Sequence, residues 1–116
     1  MLSSNTYFRA QRVDAAPGVR LALHGELDRA TLLALAPALR ELEREAQDGI
    51  VLDLTELTFV DVGGLKLILE TARRLRATGR QLTLANSSPS VRRLLELTAI
   101  DQTADVVDEV APAPAT

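Results

Sequence analysis

A chain of 116 residues is enough for one domain that buries roughly two thirds of the surface its unfolded form would expose. Hydrophobic residues make up 47% of it and aromatics only 3%, so the core must be built from Leu, Val, Ile and Ala, and platforms for stacking bases or sugars are lacking. A formal charge of -3 gives no basic field for nucleic acid or an anionic membrane, the absence of cysteine excludes disulfide and thiol chemistry, and a lone His24 excludes the usual zinc sets.

The N-terminal stretch Met1 to Thr6 has neither a basic nor an apolar signal region, and no apolar run approaches a membrane span, so a cytoplasmic protein is expected. Tyr7 to Val13 reads as a first strand. Pro17 and Gly18 then supply a turn, and Val19, Leu21 and Leu23 alternate with Arg20, Ala22 and His24 in a second strand, giving a hairpin with one buried face.

From Leu32 the apolar residues fall at Leu32, Leu35, Leu39, Leu42 and Ala46, one stripe of a helix that Asp28 should cap and Gly49 should stop. Pro37 lies inside that stripe and lacks the ladder amide, which predicts a kink or a helix whose regular part begins near it. The continuous run Ile50 to Leu54 reads as a strand buried on both faces. A short loop should lead from it into a second helix that begins at Gly63 or Gly64 and ends before Gly79, with Leu65, Ile68, Leu69, Ala72 and Leu75 inward.

Asp61 stands where its carboxylate can accept an amide bond from Gly63 or Gly64, at the positive end of that helix. Gly63 and Gly64 each cost roughly 1 kcal/mol relative to alanine inside a helix, and so belong to its first turn, where they leave the first amides open to a partner backbone or an anion. Leu67 falls off the inward stripe in company with Glu70, Thr71 and Arg74, which predicts a docking leucine, a plain surface leucine or a core-edge one. Arg73, Arg74, Arg76 and Arg80 read as cations opposing the helix dipole.

Gln81 to Ala85 should form another strand. Ser88 followed by Pro89 opens a third helix with Val91, Leu94, Leu95 and Thr98 on its buried side. Beyond Ile100, Val106 and Val107 read as an edge strand, Asp108 to Val110 as a stub of helix, and 111–116 as a disordered tail after a single domain of residues 1–110.

The segment Leu52 to Leu65, LDLTELTFVDVGGL, with the strand-helix order around it, resembles the STAS domain of anti-sigma factor antagonists, whose Asp-Ser-Ser-Gly-Leu loop opens a helix. Further matches are Gly25 to Asp28, the strand Leu52 to Leu54, and the run Leu94 to Ile100, in which Ala99 stands where the family often has a glycine. The resemblance implies an α/β fold, a STAS-like mixed sheet with helices packed mainly on one face. It implies a binding protein without enzymatic activity or cofactor, whose partner is an anti-sigma factor or serine kinase of the histidine-kinase-like ATPase type.

In the family the second serine is phosphorylated by that partner; here the two serine positions are Val62 and Gly63, neither with a hydroxyl, and Thr55, Thr58 and Thr71 are the nearest alternatives. The partner surface carried over by the resemblance comprises Asp28, Thr58, Asp61, Val62, Gly63, Gly64 and Leu65, with Leu67 beside it. The alternative is a cytoplasmic STAS subunit of a lipid-transporting ABC system, whose loop generally keeps a hydroxyl at the position of Val62. A third reading is an inert scaffold, a weak homodimer through the apolar second-strand edge. An enzyme reading fails on the residues themselves: Asp28, Asp53 and Asp61 are not spaced as a phospho-receiver cluster, and no nucleophile-base pair, phosphate loop or metal motif is present.

Overall fold

A computed structural model describes residues 3–4, 8–15 and 18–108. Of the predicted helical stub Asp108 to Val110 only Asp108 is described, and it forms a bend; the rest of the stub, the tail at 111–116, Tyr7 and Pro17 lie outside the described residues. Six strands and three helices follow one another as β1 (Ser3–Ser4), β2 (Phe8–Ala15), β3 (Gly18–Leu27), α1 (Arg29–Glu45), β4 (Ile50–Val60), α2 (Val62–Ala77), β5 (Leu82–Ala85), α3 (Pro89–Leu97) and β6 (Asp105–Val107), with a 3-10 turn at Ile100–Gln102. The strands lie side by side in chain order; β1, β2 and β3 pair antiparallel, and β3 through β6 pair parallel.

One face of the sheet is buried. Leu21, Leu23, Ile50, Leu52, Leu54, Leu82 and Leu84 point into a core shared with Leu35, Leu39 and Leu42 of α1, Ile68, Ala72 and Leu75 of α2, and Val91 and Leu95 of α3. On the other face Ala22, His24, Val51, Asp53 and Thr83 are only half-buried, so all three helices pack on one side. Ile50 to Leu54 is therefore not buried on both faces, as its unbroken apolar run suggested; Val51 belongs to the open side. The apolar second strand, β3, has no free edge, being paired on both sides, which removes the edge-on scaffold dimer.

The helix boundaries follow local chemistry. Asp28 caps α1 by accepting from the Thr31 amide at 3.1 Å, and the Thr31 hydroxyl oxygen accepts from the Asp28 amide at 2.9 Å, a reciprocal box. The helix runs on through Pro37, which sits on its exposed side, where water can satisfy the carbonyl left without an amide partner. It ends at Glu45, ahead of the expected stop at Gly49. Ser88 accepts from the Val91 amide at 3.3 Å and Pro89 occupies the first helical position of α3. Ala99, just beyond α3, takes the left-handed conformation with φ 57° and ψ 23°, so alanine occupies a turn that a glycine would enter without strain.

Strand β4 is twice as long as its apolar run implied. Against β3 it steps from Asp53 to Glu56 while β3 advances from Ala22 to His24, and from Leu57 to Phe59 while β3 advances from Gly25 to Glu26. Each irregularity adds one residue to β4, so Leu54, Leu57 and Val60 stay inward at a spacing of three, and what read as a loop is a bulged strand.

Candidate functional site

The register brings the first site residues together. Leu27 pairs with Val60 at the ends of the parallel strands β3 and β4, so Asp28 and Asp61, the next residues, cap α1 and α2 at the same end of the molecule. The Asp61 carboxylate accepts from the Gly64 amide at 2.8 Å, and its own amide donates to the Leu27 carbonyl at 3.0 Å, tying the helix start to the neighbouring strand. Thr58 is exposed in the bulged part of β4, its hydroxyl donating to the Gly25 carbonyl at 3.1 Å.

The two glycines differ. A Cβ on Gly64 would lie 2.7 Å from Val60 Cγ2 and 3.0 Å from Leu27 Cγ, both buried, so this position admits only glycine without repacking. A Cβ on Gly63 would meet only the tip of Leu32, Cδ1 at 2.8 Å, and the Asp61 carboxylate at 3.4 Å. Gly63 is thus half-covered by a methyl group from α1, at the position where the resemblance places a phosphoacceptor.

Around these caps three large apolar side chains face solvent: Leu33 of α1 at 82% exposure, Phe59 of β4 at 48% and Val62 of α2 at 80%. With half-buried Leu32 over Gly63 they add apolar surface to this end of the molecule beside the two carboxylate caps. Sequence reasoning singled out Val62 but not Leu33 or Phe59. Leu33 was legible as an off-stripe leucine; Phe59 was hidden by the bulges, which turn it outward between Leu57 and Val60.

Leu65 and Leu67 do not join this surface. Both are buried, at 7% and 9% exposure, and so is Thr71, whose hydroxyl donates back to the Leu67 carbonyl at 2.8 Å. The side of α2 that carries Leu67 and Thr71, for which both an exposed and a core-edge placement were expected, is closed because α2 is flanked by α1 as well as by the sheet: Arg74, on the same side, donates to Glu43 of α1 at 2.9 Å. Leu67 is core, not a docking leucine.

Asp53 lies apart, on the open sheet face. Burial raises its carboxyl pKa, but the Thr55 hydroxyl at 2.6 Å and amide at 3.0 Å, the Asn86 amide at 3.4 Å and the charge of Arg20 outweigh it, holding the group below its ordinary value. It is a satisfied structural carboxylate. Among the described residues no three His, Asp or Glu side chains come together as a metal site, and no helix is long and apolar enough to cross a membrane.

A sheet in chain order with three helices on one face, and two capped helix starts at one end, defines a small α/β module. The STAS domain family model matches residues 7–113, and the chain belongs to that family. It is 38% identical over 81 residues to the intermembrane phospholipid transport system binding protein MlaB of Escherichia coli, covering 69% of this chain and 79% of that one. It is 30% identical over 87 residues to the anti-sigma F factor antagonist of Paenibacillus polymyxa, covering 74% of each. The crystal structure of an anti-sigma factor antagonist from Mycobacterium paratuberculosis superposes with a TM-score of 0.81 over 94% of this chain and 92% of that one, at 24% identity, a likeness of fold.

Proposed function

We propose that this chain is a regulatory binding protein of the anti-sigma factor antagonist type, which holds an anti-sigma factor at the end formed by Asp28, Thr58, Asp61, Val62, Gly63 and Gly64, and that phosphorylation at the helix start does not gate the contact. The observation that carries this is the helix start itself. Val62 and Gly63 have no oxygen nucleophile, and the exposed Leu33, Phe59 and Val62 around them offer apolar area that a protein partner can bury. The 30% identity to an antagonist and the run Leu94 to Ile100, with its left-handed turn at Ala99, support the assignment.

A second reading has its own support: the 38% identity to a phospholipid transport binding protein favours a standing subunit of such a system, against which stands only the missing hydroxyl at Val62. In both readings we take the protein to act in the cytoplasm, bound to another protein.

Affinity capture from native lysate separates them: a small histidine-kinase-like ATPase retained by the wild type and lost with Val62→Glu supports the antagonist, a membrane-associated ATPase the transport subunit. Incubation of the captured kinase with ATP should leave residues 55–71 unmodified by mass spectrometry. Stoichiometric phosphate at Thr55 or Thr58 would defeat the ungated reading.

A further inference from the structure

At the opposite end of the helices, where α1 and α2 terminate, the molecule carries a groove of about 370 Å³ lined by Arg40, Glu43, Arg44, Arg74, Thr78 and Arg80. Two of its guanidinium groups are fixed. Arg80 donates to the Thr78 hydroxyl at 2.8 Å, to the Ala46 carbonyl at 3.0 Å and to the Glu43 carbonyl. Arg74 donates to both Glu43 carboxylate oxygens, at 2.9 and 3.2 Å, and to the Thr71 hydroxyl at 3.3 Å.

The charges do not balance. Glu43 is the one acidic residue of the lining, and its carboxylate is shared between Arg74 and Arg40, the latter at 3.2 Å and 58% exposed. Arg80 is held by neutral oxygens only, and the Arg44 side chain has neither an ion pair nor a hydrogen bond among the described residues. Four guanidinium groups thus face one carboxylate in a chain whose net charge is negative. The C-terminal carbonyls of two helices attract cations, but that attraction is met by Arg80 on Glu43 and Ala46, and by Thr78 on the Leu75 carbonyl at 3.0 Å. Arg40 and Arg44, one turn apart on α1, are left with most of their donors free to meet a ligand in the groove.

We infer that this groove binds a phosphate group, either free inorganic phosphate or the singly charged phosphodiester of a lipid headgroup. Arg74 and Arg80 form its preorganised floor, and Arg40 and Arg44 close over the ligand. Guanidinium forks match the geometry of phosphate oxygens, and because two of the four are already immobilised, less conformational freedom is lost on binding. The site lies at the other end of both helices from the Asp28 and Asp61 caps and does not depend on the docking reading.

The test is calorimetric titration of the full chain with inorganic phosphate and with pyrophosphate, ionic strength held constant with chloride, alongside co-sedimentation with phosphatidylglycerol and phosphatidylcholine vesicles. Saturable binding is expected with a dissociation constant on the order of 1 mM or tighter. Arg40→Ala and Arg44→Ala should each weaken it about tenfold, whereas Arg73→Ala, an exposed arginine outside the groove, should leave it unchanged. Saturable binding of the soluble anions alone assigns free phosphate. Sedimentation with the anionic vesicles that depends on Arg40 and Arg44 assigns the headgroup. Absence of saturable binding in every arm, or equal losses from Arg73→Ala and Arg44→Ala, overturns the site, since the latter marks mere diffuse attraction.

Discussion

The two glycines at the start of α2 make opposite demands on a methyl group. In Gly64→Ala the new Cβ lies 2.7 Å from Val60 Cγ2 and 3.0 Å from Leu27 Cγ. Neither contact is the loose end of a long chain: Val60 is β-branched and 3% exposed, and Leu27 is fully buried, so relief requires moving a strand end or the helix itself. Overpacking of this kind costs about 1–3 kcal/mol, against a gain of under about 1 kcal/mol from replacing glycine in a helix. In Gly63→Ala the only tight contact is Leu32 Cδ1 at 2.8 Å, the tip of a half-buried side chain that can rotate away, so the helical gain should roughly cancel the cost. Urea denaturation of both variants should place Gly64→Ala about 1–2 kcal/mol below the wild type and Gly63→Ala within about 0.5 kcal/mol of it. Equal destabilisation of the two would refute the claim that position 64 is fixed by packing and position 63 is open to change.

Leu67→Glu should lower stability by several kcal/mol, read from the thermal melt, because it places an unpaired carboxylate between α2 and α1; an unchanged melt would return Leu67 to the surface. Ala99→Gly should raise stability by about 1 kcal/mol in urea, since the left-handed turn costs alanine more than glycine, less the extra unfolded-state entropy of glycine. Asp53, with its pKa lowered in the folded state, contributes stability that is present above the ordinary carboxyl value of 3.8 and is lost as the pH falls through its folded value. Asp53→Asn should therefore flatten the acid limb of the stability profile, and a limb of unchanged steepness would mean that Asp53 is not among the carboxylates that set it.

What could be read from the sequence was whatever is decided within one turn of chain. Asp28, Asp61 and Ser88 lie three residues before the amides they accept from, the hairpin and the helix-strand units followed from periods of two and three to four, and the STAS resemblance rested on the motifs at Gly25 to Asp28, Leu52 to Leu65 and Leu94 to Ile100. The errors came from neighbours distant in sequence. The bulges that give β4 an inward spacing of three, Leu54, Leu57 and Val60, break the alternation by which strands are recognised, so half of β4 passed for a loop. Leu67 and Thr71 form a second buried row on α2 because α1 lies alongside, which no pattern within α2 distinguishes from an exposed row. The apolar end was only partly legible: Leu33 and Phe59 belong to different elements, and only the alignment of Leu27 with Val60 brings their ends level.

The strand order has a consequence for how the chain acquires its structure. Each strand pairs with the one made just before it, so no strand has to be inserted between two that are already joined. The β2-β3 hairpin can close first, and every later unit, helix then strand, adds to a single advancing edge over a loop whose closure entropy grows only slowly with its length. A nascent chain leaving the ribosome would always hold the template for its next addition, while its exposed edge moves from β3 to β4 to β5 and is finally blunted by β6, a strand of only three residues.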